Sequence, residues 1–467
     1  MNWTDFREWG ARAAGWAARY HETLRERPVR AQVTPGEILA ALPPSPPERA
    51  ENLETIVGDF EATIVPGMTH WQHPRFFAYF PANAAPVSVL AEYYVSALAA
   101  QCMLWQTSPA ATELETRVCD WMRQALGLPE EFTGAIQDSA STATLCAVLT
   151  MRERALEWAG NTKGLAEGPR LRVYVSEEAH SSVDRAVWIS GIGAENLIRI
   201  PVTGSRRAMD VEALEAAIAA DRAAGHLPCG VVLCTGATGA GACDDLRAAI
   251  AVAKAEGLFT HVDAAWAGSA MICPEFRELW HGVEGADSVV VNPHKWLGAQ
   301  FDCTLLYMRR PEDLVRTLAI RPEYLRTHGA DGVIDYSEWS VPLGRRFRAL
   351  KLWFLLRAHG LEDLRDMIRN HVLWSRTLAD RLRAQEGFEI VTEPILSLFT
   401  FRYLPGGPAD EVNQRLLDRI NSDGRIYLTQ TRVDGKLVLR FQAGAFTSTE
   451  ADVQTAFDVI TELAEAS

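Results

Sequence analysis

The sequence predicts a mostly parallel α/β sheet covered by helices on both faces, followed by a smaller α+β domain. Three observations carry this. Between about residues 81 and 310, short apolar runs alternate with helix-like stretches. Such alternation builds parallel sheets, whose strands read as continuous apolar runs because both faces are buried. Beyond about residue 345 the texture changes to one long helical stretch and then to shorter strands and a hairpin turn. Finally, 467 residues are too many for one small core and suit two or three domains. The shifts in texture place a helical N-terminal segment at 1–80, a large α/β domain at 81–345 and a small α+β domain at 346–467.

In chain order, Phe6, Trp9, Ala13, Trp16, Ala17, Tyr20 and Leu24 recur at spacings of three and four, which predicts an amphipathic helix over 4–26. Its aromatic face suits docking on the chain's own core as well as on a partner chain. The following "ALPPSPPE" at 41–48 cannot be helical throughout. Strands are predicted at "LRVYV" from 171, "LIRIP" from 197, "GVVLCT" from 230, "LFTHVD" from 258, "DSVVVN" from 287 and "CTLLYM" from 303, with helices at 142–158, 210–224 and 244–256. The long helix begins near 347. Strands "FEIVTE" and "LSLFTFRYL", a helix at 408–422 and a hairpin turning at Asp434-Gly435 come next. Thr447-Ser448-Thr449-Glu450 reads as the capping box of a last helix.

Composition excludes several classes. A hydrophobic fraction of 48% with 9% aromatics supports a sizeable core. The formal charge of −14 argues against nonspecific nucleic-acid binding, which needs clustered Lys and Arg. Eight cysteines, at 102, 119, 146, 229, 234, 243, 273 and 303, make no C-x-x-C pair; this suggests a reducing compartment. His70 and His73 have no matching ligand set, so no metal site is expected. No signal peptide or membrane-length apolar run occurs, so the expected protein is cytoplasmic and off the membrane.

One stretch stands out. In "DSVVVNPHKWLGAQFDC" a core strand ends in a lysine, and the chain has only five lysines. Lys295 and Asp263 both follow apolar strands directly, and ligands of parallel sheets bind beyond the carboxyl ends of strands. Pyridoxal phosphate asks for a lysine amine, an acid against its ring nitrogen, donors for its phosphate and a group stacked on the ring. Ser139, Ala140 and Ser141 in "IQDSASTATL" open a helix, where free N–H groups and the dipole favour a phosphate. In isolation the same residues make an ordinary N-cap. Asp263 favours a protonated ring nitrogen, and desolvation at the sheet rim lowers the pKa of a lysine. The Gly-rich "VVLCTGATGAGACDDL" imitates a dinucleotide fingerprint, but no Tyr-x-x-x-Lys accompanies it. A loop of small residues that lets backbone pass close to a neighbour is the better reading.

"NPHKWL" after "HVDAAWAGSAMICPEF" resembles the group II pyridoxal-phosphate decarboxylases, in particular the aromatic-L-amino-acid decarboxylases. "HPRFFAYFPA", "SPAATELE", "AHSSVDRA", "VPLGRRFRALKLWF" and "LVLRFQ" resemble that family in the same order, over nearly the whole chain. The resemblance implies the fold type I of pyridoxal-phosphate-dependent transferases, a homodimer with a shared active site, and an N-terminal segment that packs across the dimer. It implies that Lys295 carries the cofactor, Asp263 pairs with the ring nitrogen and His180 stacks on the ring. Ser139, Ala140, Ser141, Asn292 and His294 would surround the phosphate, and Thr238 and Ala265 would flank the ring.

By the same resemblance, Tyr324 in "RPEYLRTHGADG" is the acid that protonates the substrate's α-carbon; a phenol with pKa near 10 keeps its proton at neutral pH. Trp71, Tyr79, Phe80, Pro81, Ala82, Gln101 and Met103 would line the substrate pocket, completed by Leu343 and Gly344 from the neighbouring subunit. Room beside Gly344 favours tryptophan-like substrates over phenylalanine, tyrosine or DOPA. Retained Tyr324 and His180 favour decarboxylation to the arylalkylamine over the aldehyde-forming oxidative reaction of related synthases. Decarboxylation of a non-aromatic amino acid is a further alternative. Ala82, Gln101, Trp266 and the Gly/Ala-rich 236–242 depart from the family's usual residues.

Overall fold

A computed structural model describes residues 2–320 and 332–465. The chain divides into two compact units. One comprises 1–81, 374–391 and 400–467, so it gathers both ends of the chain; the other comprises 82–373 and 392–399.

The larger unit is built on a seven-stranded sheet. Its strands are β1 (Thr133–Gln137), β2 (Leu171–Ser176), β3 (Leu197–Ile200), β6 (Leu227–Cys234), β7 (Phe259–Asp263), β8 (Ser288–Val291) and β9 (Thr304–Met308); a small pair, β4 (Val202–Thr203) and β5 (Ala208–Met209), stands apart. The spatial order is β1-β9-β8-β7-β6-β2-β3. The pairs β3–β2, β2–β6, β6–β7 and β7–β8 are parallel, whereas β9 is antiparallel to both β8 and β1. Since β9 alone is reversed, β1 runs in the same direction as β8. The carboxyl ends of six strands therefore share one edge, and that edge sets the site.

The six predicted apolar runs are all strands. β1 is the strand the pattern misses: "TGAIQ" has one β-branched aliphatic and a glycine. Gly134 is there for fit, since a Cβ would lie 2.7 Å from the Tyr307 ring of β9. The helix Ala140–Ala155 lies on β6, β7, β8 and β9, and Ala143, Ala147 and Met151 join Val232, Phe259, Val290 and Leu306 in one core.

In the other unit, the helix Trp3–Glu22 is capped by Asn2 and buries none of its residues. The Pro-rich 42–50 carries no helix. A four-stranded sheet runs β10 (Phe388–Ile395), β11 (Leu398–Tyr403), β13 (Lys436–Gln442), β12 (Thr429–Val433). The β12–β13 hairpin turns at Asp434 (φ +49°) and Gly435 (φ +77°), as its Asp-Gly signal predicts. The final helix, Glu450–Glu465, is capped two residues later than Thr447–Glu450 suggests: Thr449 N–H donates to Asp452 Oδ2 (3.0 Å) and Asp452 N–H to Thr449 Oγ1 (3.4 Å). Thr449-x-x-Asp452 is a capping box with aspartate as its acid.

Candidate active site

Five chain segments reach the common edge. After β1, Ser139 caps the helix that starts at Ala140; its Oγ accepts from Thr142 N–H (3.2 Å) and donates to Asp138 Oδ1 (3.1 Å). Ala140 and Ser141 occupy the first helical positions, whose N–H groups precede the first intrahelical bond. After β2 comes His180. Its Nδ1 accepts from the backbone N–H of Ser182 (3.1 Å) and lies 2.9 Å from the Ser182 hydroxyl, so the neutral ring carries its proton on Nε2. After β6, the loop that holds Thr238 folds tightly, with Gly236 and Ala237 both donating to the Ala242 carbonyl. At Gly236 (φ +76°) a Cβ would sit 2.4 Å from Ala267 Cβ and 3.0 Å from the Trp266 ring. The glycines here allow close approach, as the small-residue reading holds, and no nucleotide fingerprint is needed to explain them.

After β7, Asp263 takes the N–H of Ala265 on Oδ1 (3.0 Å) and stays half-buried. After β8, Asn292, His294 and Lys295 follow in one turn. Asn292 N–H donates to the Ala265 carbonyl (2.8 Å) and Lys295 N–H to the Asn292 carbonyl (3.0 Å), so the acid's turn and the lysine's turn are stitched together.

Electrostatics show the same grouping. Burial lowers the His180 pKa, Asp263 opposes that and Lys295 reinforces it, so the His180 ring lies within electrostatic reach of both. Burial, reinforced by Lys295, brings His294 down to about 3 and keeps it neutral. Its Nδ1 lies 3.0 Å from the N–H and 2.8 Å from the carbonyl of Cys303.

Other expected residues fall elsewhere. Ala82, Gln101, Met103, Leu343 and Gly344 belong to this larger unit. Gln101 Oε1 accepts from Arg345 N–H (2.7 Å), and its amide nitrogen would lie 3.2 Å from a Cβ on Gly344, so positions 101 and 344 are neighbours. Trp71, Tyr79, Phe80 and Pro81 belong to the other unit. Trp71 and Tyr79 are exposed and stacked (centroids 5.8 Å apart, 22° between planes), Phe80 is buried, and Tyr79 has φ +43°. Tyr324 lies outside the described residues. Two contributors were missed in the sequence. Asn83 donates from Nδ2 to the Lys295 carbonyl (2.8 Å) and from its backbone to the His294 carbonyl (3.0 Å). Ser182 sets the His180 ring. A fully buried asparagine inside the apolar "FPANAAP" is the signal that marks Asn83.

The residues fit pyridoxal phosphate on one further observation. Asn292 is buried and its Oδ1 has no partner among the described residues, a burden of about 1–3 kcal/mol without a ligand or water to relieve it. Amide oxygen and nitrogen exchange by a flip, so the same position can offer a donor to a phosphate. Among the described residues no group of side chains suits a metal ion, and no helix is long and apolar enough to cross a membrane.

The family profile described as pyridoxal-dependent decarboxylase conserved domain matches residues 35–404. The chain belongs to the pyridoxal-dependent decarboxylase family. Its cofactor is pyridoxal 5′-phosphate and its activity is amino-acid decarboxylation. Among curated relatives of this decarboxylase, the aromatic-L-amino-acid decarboxylase of Rattus norvegicus is 41% identical over 99% of this chain and 98% of the relative. The phenylacetaldehyde synthase of Arabidopsis thaliana is 40% identical over 99% of this chain and 96% of the relative. Among solved structures, Catharanthus roseus tryptophan decarboxylase in complex with L-tryptophan superposes with a TM-score of 0.94 at 36% identity, covering 100% of this chain and 99% of that one. Those likenesses agree with decarboxylation of an aromatic amino acid and with the fold type expected from sequence.

Proposed function

We propose that this enzyme decarboxylates an aromatic L-amino acid, tryptophan-like in preference to phenylalanine, tyrosine or DOPA, to the arylalkylamine and CO2. What supports the reading is that Asp263 ends β7 while His180 and Lys295 follow β2 and β8, at one edge of a parallel sheet, in a family whose cofactor needs those three groups. When bound, the cofactor supplies an electron sink for the pair left behind when CO2 departs. Lys295 would hold it covalently, and Asp263 would keep the ring nitrogen protonated, because a carboxylate beside it favours the cation. His180 is exposed, and Ser182 holds the edge of its ring at Nδ1, which fixes the plane of a ring that must lie flat on a ligand. Ser139, Ala140, Ser141, Asn292 and His294 would surround the phosphate, with Thr238 and Ala265 at the ring. Tyr324 would deliver the proton to the substrate's α-carbon.

The active form is proposed to be a cytoplasmic homodimer with a shared site. Supporting this, the helix Pro86–Leu98 exposes Val89, Leu90, Tyr93, Tyr94 and Leu98, a cluster of large apolar side chains of the kind that partner contacts cover. The helix Trp3–Glu22 likewise has no fully buried residue within its own chain. All eight cysteines are buried and unbridged, which suits a reducing compartment. Gln101 and Met103 would then join Leu343 and Gly344 in the wall supplied by the neighbour. Light scattering on the purified enzyme tests this part; a monomer retaining full activity overturns it.

An oxidative, aldehyde-forming outcome is the second reading, favoured by the likeness to a phenylacetaldehyde synthase. Incubation with pyridoxal phosphate and tryptophan, tyrosine, phenylalanine or DOPA separates the two, with Lys295→Ala as control. Amine and CO2 in equal amounts without peroxide is the expected result, fastest with tryptophan. Aldehyde with peroxide overturns it.

A further inference from the structure

Behind the lysine's turn lies a column of rings that the chemistry above does not use. Trp296 directly follows Lys295 in the single-turn helix Pro293–Trp296. Successive helical residues point about 100° apart, so one can face a ligand while the next enters the core. Trp296 is wholly buried. Its indole stacks on Trp266, with centroids 5.0 Å apart and 17° between planes. Trp266 leaves the end of β7 just after Asp263 and Ala265, and on it rests the Gly236 turn. The turns after β6, β7 and β8, which carry Thr238, Asp263 and Lys295, thus share one pair of indoles.

The column is closed by His371. Trp296 Nε1 donates to His371 Nδ1 at 3.0 Å. The two planes lie within 11° of parallel with centroids 6.4 Å apart, which is the geometry of an in-plane hydrogen bond and too distant for a stack. The stretch Ala349–Arg383, expected as one long helix, is two helices that meet at a non-helical Gly360 (φ +66°), and His371 is buried in the second of them, 75 residues away in sequence. A buried indole N–H needs an acceptor, and only one rotation of the ring brings it to His371.

We infer that His371 is a positioning residue for the cofactor lysine. By accepting the Trp296 N–H it fixes the indole pair, and through that pair the relative placement of Lys295 and Asp263. The inference rests on the assignment of Lys295 as the cofactor's attachment. Without the acceptor the buried Trp296 N–H is left unsatisfied, and the indole pair can relieve that only by a shift that carries the adjoining turn, and Lys295, with it.

The test uses the holoenzyme and three readouts: the pH midpoint of the bound cofactor's visible absorption band, tryptophan-excited emission from the cofactor, and kcat against KM. His371→Leu is expected to shift the midpoint, reduce the transferred emission and lower kcat by about tenfold, or about 1.4 kcal/mol. KM should stay within about twofold. His371→Asn, whose Oδ1 takes the place of Nδ1, should return all three to within about threefold of the parent. A lower unfolding temperature with the band, emission and kcat unchanged would make His371 a purely structural residue and overturn the inference. Where His371→Leu does not fold, the Trp296→Phe background decides. With no N–H left to accept, His371→Asn should add nothing to Trp296→Phe, and an added kcat loss overturns the inference. Should Lys295→Ala keep the parent's absorption band, the lysine assignment itself fails, a result distinct from any in the His371 series.

Discussion

Glu115 and Arg345 show how much one residue pair can hold. Both are nearly fully buried. Arg345 donates from Nη1 to Glu115 Oε2 (3.1 Å) and from Nη2 to Glu115 Oε1 (2.6 Å) and the Ile136 carbonyl (2.6 Å). Glu115 Oε1 in turn accepts the Ile136 N–H (2.8 Å), and the Tyr336 ring lies 4.9 Å from the guanidinium. Burial works against the Arg345 charge, but Glu115 more than offsets it and leaves the guanidinium pKa raised. The pair ties β1, which delivers Ser139, to the stretch that carries Leu343 and Gly344. Arg345→Met leaves a buried carboxylate without its cation and should cost about 3–5 kcal/mol. Adding Glu115→Gln keeps an acceptor for Ile136 and removes the stranded charge. The double variant should therefore recover at least half of the loss in urea unfolding. Strictly additive losses would mean that the two side chains are energetically independent.

At the scale of elements, the turn after β6 is the one whose sequence is most dictated by its neighbours. Gly236 combines a positive φ with a Cβ position already taken by Ala267, so Gly236→Ala meets strain and overlap together. The expected cost is about 2–4 kcal/mol, read as a fall in unfolding temperature, with weaker pyridoxal phosphate binding because Thr238 moves. Gly257→Ala, also at positive φ (+71°) but with open space around it, should cost less and leave cofactor binding alone. Equal effects at both positions would assign the whole penalty to φ. The contrast also marks what was legible in the sequence. The apolar runs from 171 to 308 show as strands because burial on both faces leaves a continuous signal. Lys295 and Asp263 show because each stands at the end of such a run, whereas His180 shows only through the family resemblance carried by "AHSSVDRA". β1 does not show, since its fit to Tyr307 required a glycine. His371 and the Glu115–Arg345 pair do not show because their partners lie 75 and 230 residues away. Local pattern carries no trace of contacts that distant, and a lone histidine in a helix reads as any other.

For the whole molecule, pH dependence follows from what the fold buries. Burial is the leading cause that brings His73, His294 and His371 to about 3 and His261 to about 4. Unfolded imidazoles titrate near 6.5. Between these values the unfolded chain binds protons that the fold refuses, so stability is fully present above about pH 6.5 and falls as pH drops toward 4. Asp244 acts in the opposite sense. Burial raises it to about 6, against the N–H groups of Cys234 and Met209 (2.7 Å each), so the fold holds a proton that the unfolded chain has lost above about 4. Four histidine protons less one for Asp244 leave about three taken up on unfolding near pH 5. The slope is then about 4 kcal/mol per pH unit, enough to exhaust an ordinary stability within about two to three units. The urea midpoint of the holoenzyme should therefore be flat from pH 8 to 7 and fall steeply from 6 to 5. Replacing His261, whose Nδ1 lies 2.8 Å from Ser288 Oγ, by Gln removes one of the four titrating groups. The variant should lose stability at pH 7 yet show a slope shallower by about one proton, about 1.4 kcal/mol per pH unit. A parallel displacement of the whole curve, with the slope unchanged, would mean that His261 takes up its proton in the folded protein as readily as in the unfolded one.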